Sequence, residues 1–178
     1  LTMKQGTHIW YGEPFEIVSR LGSGGQGAVY EIANSTGDQR LALKWYHAHT
    51  ATKTRRHQLA SLVARAPPND RFIWPIGLID DPRSGRFGYV MDLRSDNFEG
   101  VPALLSGRIR RDERSVVRLA FELSAAFRDL HLRGLCYRDV NLGNAFMDPV
   151  TGEARICDND NVGVDGVDRA DVLGTPKF

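Results

Sequence analysis

The chain has 178 residues, 42% of them hydrophobic and 25% charged, the composition of an ordinary globular domain with a core to bury. Its 23 basic and 22 acidic residues leave a formal net charge of +1, which removes any electrostatic argument for a nucleic-acid or membrane-surface partner. No run approaches the roughly 18 consecutive apolar residues of a membrane span, the first five residues hold no apolar signal core, and no repeat or heptad register is present. The two cysteines, Cys136 and Cys157, lack disulfide density and metal-ligand spacing and suit a reducing, cytoplasmic compartment.

Along the chain, Phe15-Glu16-Ile17-Val18, a glycine cluster, Ala28-Val29-Tyr30-Glu31-Ile32, a turn over residues 34–38 and Leu41-Ala42-Leu43-Lys44 predict three antiparallel strands. Residues 52–65 carry Leu59, Leu62 and Val63 at helical spacing, and Pro67-Pro68 ends that helix. The basic run Lys53, Arg55, Arg56 and His57 reads as its solvated face. Residues 72–78 and 87–93 predict two more strands around the turn Asp80-Asp81-Pro82-Arg83-Ser84-Gly85.

The second half changes character. Residues 114–132 place Val117, Leu119, Ala120, Leu123, Phe127 and Leu130 on a broad apolar helical face, which predicts a buried helix. After Gly134 come Leu135-Cys136-Tyr137, Ala145-Phe146-Met147 and Ala154-Arg155-Ile156-Cys157, separated by loops rich in Asp and Asn. Polar loops held between short strands are where chemistry usually sits.

Gly22-Ser23-Gly24-Gly25-Gln26-Gly27 has the pattern G-x-G-x-x-G, whose glycines let backbone N–H groups approach phosphate oxygens. A dinucleotide-binding loop would open a helix, whereas this one runs into a strand, so a Rossmann reading loses its context. A glycine-rich hairpin is the plain alternative for the loop taken alone. Val29 then completes G-x-G-x-x-G-x-V, and Ala42-Leu43-Lys44 follows on the next strand. Tyr137-Arg138-Asp139-Val140-Asn141-Leu142-Gly143-Asn144 is similar to the catalytic loop H-R-D-x-x-x-x-N, Asp158-Asn159-Asp160 stands where D-F-G is expected, and Leu173-Gly174-Thr175-Pro176-Lys177-Phe178 resembles the end of an activation segment. With these motifs the chain resembles the protein kinase superfamily, and Ser/Thr protein kinases in particular.

The resemblance implies an α+β, bilobal kinase-like fold: residues 1–94 as the N-lobe and hinge, with a five-stranded antiparallel sheet and one helix, and residues 95–178 as a partial, mainly helical C-lobe. It implies ATP with Mg2+ in the cleft and phosphoryl transfer to a Ser/Thr hydroxyl of a protein substrate. Gly22, Gly24, Gly27 and Lys44 would hold the phosphates. Leu21, Val29, Ala42 and Phe146 would enclose the adenine ring, with Met91 behind it and the backbone of Asp92 and Arg94 at its edge. Asp139 would orient the acceptor hydroxyl, Asn144 and Asp158 would ligate the metal, and Arg138 would receive a negative charge from the activation segment. Asp165, Asp168 or Asp171 would supply that charge without phosphorylation, since Thr175 is the one hydroxyl of that segment.

Five positions depart from the family pattern, the first being Tyr137, which stands where the catalytic loop usually has histidine, a position that packs rather than reacts. Gln58 takes the place of the glutamate that pairs with the strand lysine, and Asn141 the place of a phosphate-neutralising lysine. Asn159 and Asp160 replace Phe and Gly, which argues against switching by a flip of that loop. The other four changes support a rival reading, a pseudokinase that binds nucleotide or protein without transfer. Lys44, Asp139, Asn144, Asp158 and the complete glycine loop oppose it. A full kinase domain needs about 250 residues, so a further C-lobe portion or a regulatory partner is expected beside the chain.

Overall fold

In the computed structural model, residues 3–110 and 112–164 are described, and the chain divides into two units, residues 1–65 with 74–93 and residues 66–73 with 94–178. The expected activation-segment features, Asp165, Asp168, Asp171 and Thr175, lie outside the described residues. Among the described residues no helix is long and apolar enough to cross a membrane.

The first unit is an antiparallel sheet of six strands: β1 (His8–Tyr11), β2 (Glu13–Ser23), β3 (Gly27–Asn34), β4 (Arg40–Tyr46), β5 (Pro75–Asp81) and β6 (Arg86–Asp92), in the order β1-β2-β3-β4-β6-β5. The expected count of five omits β1. That strand is four residues long and turns into β2 at Gly12, whose φ of +69° suits a residue without Cβ. The sheet curls so that its two outer strands approach, and the Tyr11 hydroxyl donates to the Ile76 carbonyl at 3.2 Å. The β5–β6 turn is closed by Asp81, whose carboxylate accepts from the Arg83 N–H at 3.0 Å and the Ser84 hydroxyl at 2.6 Å.

Strand β5 begins at Pro75 rather than at Phe72. The reason is that Phe72 forms a parallel bridge with Ile156 and the Ile73 N–H donates to the Ile156 carbonyl at 2.9 Å, so both residues pair within the second unit.

Alternation along the strands sorts the sheet into two faces. Tyr30, Ile32, Leu43, Trp45 and Val90 point into the unit's hydrophobic core together with Phe15, Ile17 and Ile79. Val29, Ala42, Lys44 and Met91 take the intervening positions and hence the opposite face, with Val29 paired to Lys44 and Ala42 to Met91 across the strands. Helix α1 (Lys53–Val63) buries Leu59 and Leu62 and is capped by the Thr52 side chain, which accepts from the Arg55 N–H at 3.2 Å. The Trp74 indole donates to the Leu62 and Arg65 carbonyls at 3.0 Å each and so ties the end of α1 to the start of β5.

The second unit contains β7 (Glu99–Gly100), α2 (Val101–Leu105), α3 (Glu113–Leu132), β8 (Leu135–Tyr137), β9 (Ala145–Met147), β10 (Ala154–Ile156) and β11 (Val162–Val164). Strands β10, β9 and β7 form one small sheet, and β11 pairs with β8. Beneath β9, Val101, Leu104, Leu119, Met147 and Ala154 make the core. Each large aliphatic side chain buried there contributes about 1.5–3 kcal/mol.

The buried stripe of α3 differs from the expected one. It runs through Ser115, Leu119, Glu122, Ala126 and Leu130, while Val117 is 72% exposed and Ala120 also faces out. Two polar residues enter the stripe because partners distant in sequence satisfy them. The Ser115 hydroxyl donates to the Pro149 carbonyl at 2.9 Å, and Glu122 accepts from the Arg71 guanidinium at 2.5 Å.

Candidate active site

The glycine loop joins β2 to β3, and the pairing of Gly22 with Val29 and of Ser23 with Ala28 brings its two ends together. The Gly24 N–H donates to the Gly27 carbonyl at 2.9 Å and closes the loop. Gly27 is glycine for an internal reason: a Cβ there would lie 2.4 Å from the Trp45 carbonyl oxygen. No such reason applies at Gly22, Gly24 or Gly25, where a Cβ would meet nothing within 4 Å and φ is not positive. Their lack of side chains therefore fits an external requirement, the close approach of a phosphate to backbone N–H groups.

Lys44 lies on β4, only 4% exposed, and its ammonium donates to the Gln26 Oε1 in the glycine loop at 3.2 Å. The amide that engages Lys44 here comes from the loop, whereas the family pattern pointed to Gln58 on α1. Leu21 sits at a register shift of β2 and is 50% exposed, Met91 and Ala42 are buried, and Asp92 ends β6 opposite Leu41. In the second unit the Arg94 guanidinium lies 4.3 Å from the centre of the Phe146 ring, a cation–π contact between two of the expected adenine-binding residues.

The catalytic-loop residues are joined by a local network. Asp139 Oδ1 accepts from the Asn141 amide at 3.2 Å, and Oδ2 accepts from the Asn144 amide at 3.3 Å. Asn144 also donates to the Asp139 carbonyl at 3.0 Å, so it engages both the backbone and the side chain of Asp139. Asn141, read from the sequence only as a missing cation, thus acts as a neutral donor that orients the carboxylate. A short 3-10 turn over Leu142–Asn144 folds these side chains back toward Asp139.

The same loop is stitched to the strand that precedes Asp158. The Cys157 N–H donates to the Asn144 carbonyl at 2.9 Å, and the Tyr137 hydroxyl donates to the Cys157 carbonyl at 2.6 Å. Burial, reinforced by the negative charge of Asp158, pushes the Tyr137 phenol well above its usual range, so it remains a donor throughout the physiological pH range. Tyr137 therefore replaces the usual histidine with a tether. Asp158 itself has φ 57° and ψ 41° and is the one non-glycine residue with positive φ among the described residues. Such a conformation costs about 1 kcal/mol or more and persists where neighbours enforce it, which is common at functional sites. The next residue, Asn159, is fully buried, and its amide donates to the Ile73 and Ile156 carbonyls at 2.8 Å each, which anchors the chain just after Asp158.

Arg138 lies against β11. A Cβ built on Gly163 would fall 1.7 Å from the Arg138 guanidinium, so the arginine rests directly on the glycine backbone. Replacing Gly163 with alanine must displace Arg138. We expect Gly163→Ala to lower any activity that depends on Arg138 while leaving nucleotide affinity within about twofold, a split read by comparing kcat with KM for ATP.

Among the described residues no group of three or more His, Cys, Asp or Glu side chains forms a metal site. Magnesium does not need one, since it is commonly held by one or two protein oxygens together with substrate phosphates. The amide oxygen of Asn144 and the carboxylate of Asp158 are hard donors of that type, carried on segments tied together through Cys157.

No family model matches the chain. Among curated proteins it is similar to the probable serine/threonine-protein kinase glkA of Dictyostelium discoideum, 24% identical over 148 residues that make up 82% of this chain and 29% of that protein. It is also similar to the DNA damage-responsive serine/threonine-protein kinase RqkA of Deinococcus radiodurans, 27% identical over 177 residues, 92% of this chain and 25% of that protein. The chain thus spans under a third of the length of these relatives. Among solved structures, the Mycobacterium tuberculosis PknI kinase domain superposes with a TM-score of 0.68 at 18% identity, covering 91% of this chain and 64% of that one.

Proposed function

Because this chain is a protein-kinase-like domain, we propose that it takes part in transfer of the terminal phosphoryl group of ATP to a Ser or Thr hydroxyl of a protein substrate. The observation that carries this reading is the Asp139 carboxylate fixed by the Asn141 and Asn144 amides, in a loop bonded to the strand before Asp158. In this reading residues 1–94 supply nucleotide binding and residues 95–178 supply the catalytic groups.

The acceptor hydroxyl gives its proton to Asp139 as its oxygen bonds to the γ-phosphorus, and the bond from that phosphorus to the β,γ-bridging oxygen breaks to release ADP. Lys44 and the glycine-loop N–H groups hold the phosphates in line, and Leu21, Val29, Ala42, Met91, Asp92, Arg94 and Phe146 hold the base. Asn144 and Asp158 would hold Mg2+, which would supply charge neutralisation for the phosphate groups. Arg138 takes a negative group of the activation segment. A protein acceptor is favoured because the curated relatives are named protein kinases.

A second reading, a pseudokinase that binds nucleotide without transfer, is favoured by Asn141, which presents an amide where the family places a cation. The two are separated by incubating the full-length protein with labelled ATP and a general protein acceptor, with Mg2+ and with a chelator. Transfer that requires Mg2+ supports the kinase. ATP binding without transfer supports the pseudokinase, and absence of both transfer and binding removes both.

A further inference from the structure

We propose that Thr50, with His47, is a latch that positions the glycine loop for nucleotide phosphates; the proposal rests on the phosphate-binding role of that loop. Two carbonyls of the loop are engaged by the segment that follows β4. Gln26 offers its carbonyl to two donors, the His47 N–H at 2.9 Å and the Thr50 hydroxyl at 2.5 Å. The Gly24 carbonyl lies 3.2 Å from His47 Nε2. Carbonyls held in this way leave the N–H groups of the same loop peptides directed to the opposite side, since the two groups of a planar peptide point apart.

The latch also reaches Lys44. Gln26 receives Thr50 at its backbone and the Lys44 ammonium at its side chain, so one residue couples the turn after β4 to the phosphate-binding lysine. That turn is itself ordered, with the Thr50 and Ala51 N–H groups donating to the His47 carbonyl at 3.0 Å each, and it leads into the Thr52 cap of α1. No acidic residue occurs between Lys44 and Asp70 to connect α1 to the lysine by an ion pair. The path Thr50–Gln26–Lys44 supplies a neutral connection between the start of α1 and Lys44. Thr50 is thus a positioning residue, acting on phosphates through the loop it holds.

The test uses the full-length protein and two variants. Thr50→Val keeps the shape of the side chain and removes its hydroxyl, and Thr50→Ser keeps the hydroxyl. Loss of one such bond should weaken ATP about fivefold, seen as a higher KM with kcat within about twofold. Hydrogen exchange at the Gly24 amide, which closes the loop onto Gly27, should accelerate in Thr50→Val without any nucleotide present. Thr50→Ser should restore both. Either change without the other overturns the latch, as does a Thr50→Val protein indistinguishable from the parent. If the unmodified protein fails to bind ATP, the phosphate-loop reading itself fails, an outcome visible without any variant.

Discussion

Replacing Asp139 with asparagine should lower phosphoryl transfer by about a hundredfold to ten-thousandfold, the range that a positioned general base contributes. The substitution preserves volume, its single amide oxygen can still accept from the Asn141 amide, and Asn144 keeps the backbone carbonyl of residue 139 as its acceptor, so the fold should persist. What disappears is the anionic oxygen that receives the acceptor's proton. ATP affinity should remain within about twofold, because Asp139 is assigned to the hydroxyl and not to the nucleotide. Steady-state transfer from labelled ATP, together with an independent binding titration, reads both quantities. A loss of less than about tenfold would mean that Asp139 is not the base, and a parallel collapse of ATP binding would mean that the substitution had disturbed the site as a whole.

How much of this was legible in the sequence depended on how far apart the interacting residues stand. Asp139 and Asn144 lie within one short loop, and the match of their spacing to the family's catalytic loop indicates that they act together, whereas Asn141 reads there only as a missing cation. The strand–glycine loop–strand arrangement was legible for the same reason, since period-two alternation on either side of a glycine cluster is a local signal. Strand β1 escaped because it is four residues long and carries Trp10, 69% exposed, on its outer face. The stripe of α3 was misplaced because Ser115 and Glu122 are buried against Pro149 and Arg71, and hydropathy does not carry partners so distant. Phe72 and Ile73 looked like the start of a strand continuous with Ile76, and only the bonds to Ile156 assign them to the other unit. For Lys44 the family pattern places a partner on α1, at Gln58. The loop residue Gln26 engages Lys44 instead, through a contact between the β2–β3 loop and β4 that no helical spacing can indicate.

Asn159 was legible only as a departure from the usual phenylalanine, and its structural role yields the larger stability prediction. Its side-chain nitrogen satisfies two carbonyls in a fully buried position, while its Oδ1 is buried without a hydrogen-bond partner among the described residues. The residue is therefore held for its donor end. Asn159→Ala removes both bonds and leaves a small cavity, and should destabilise the protein by about 2–4 kcal/mol. Asn159→Asp separates the two causes, because it keeps the volume and deletes the donor. A carboxylate facing two carbonyl oxygens repels them, so this variant should be at least as unstable as alanine at neutral pH and should recover part of the loss when acid protonates the new carboxyl. In both variants transfer should fall along with stability, since the bonds of Asn159 anchor the chain immediately after Asp158, which has a left-handed conformation. Urea unfolding of the full-length protein and its variants measures the difference. An aspartate variant as stable as the parent would show that packing, not hydrogen bonding, keeps Asn159 in place, and that the Asp158 loop is free to leave its position at little cost.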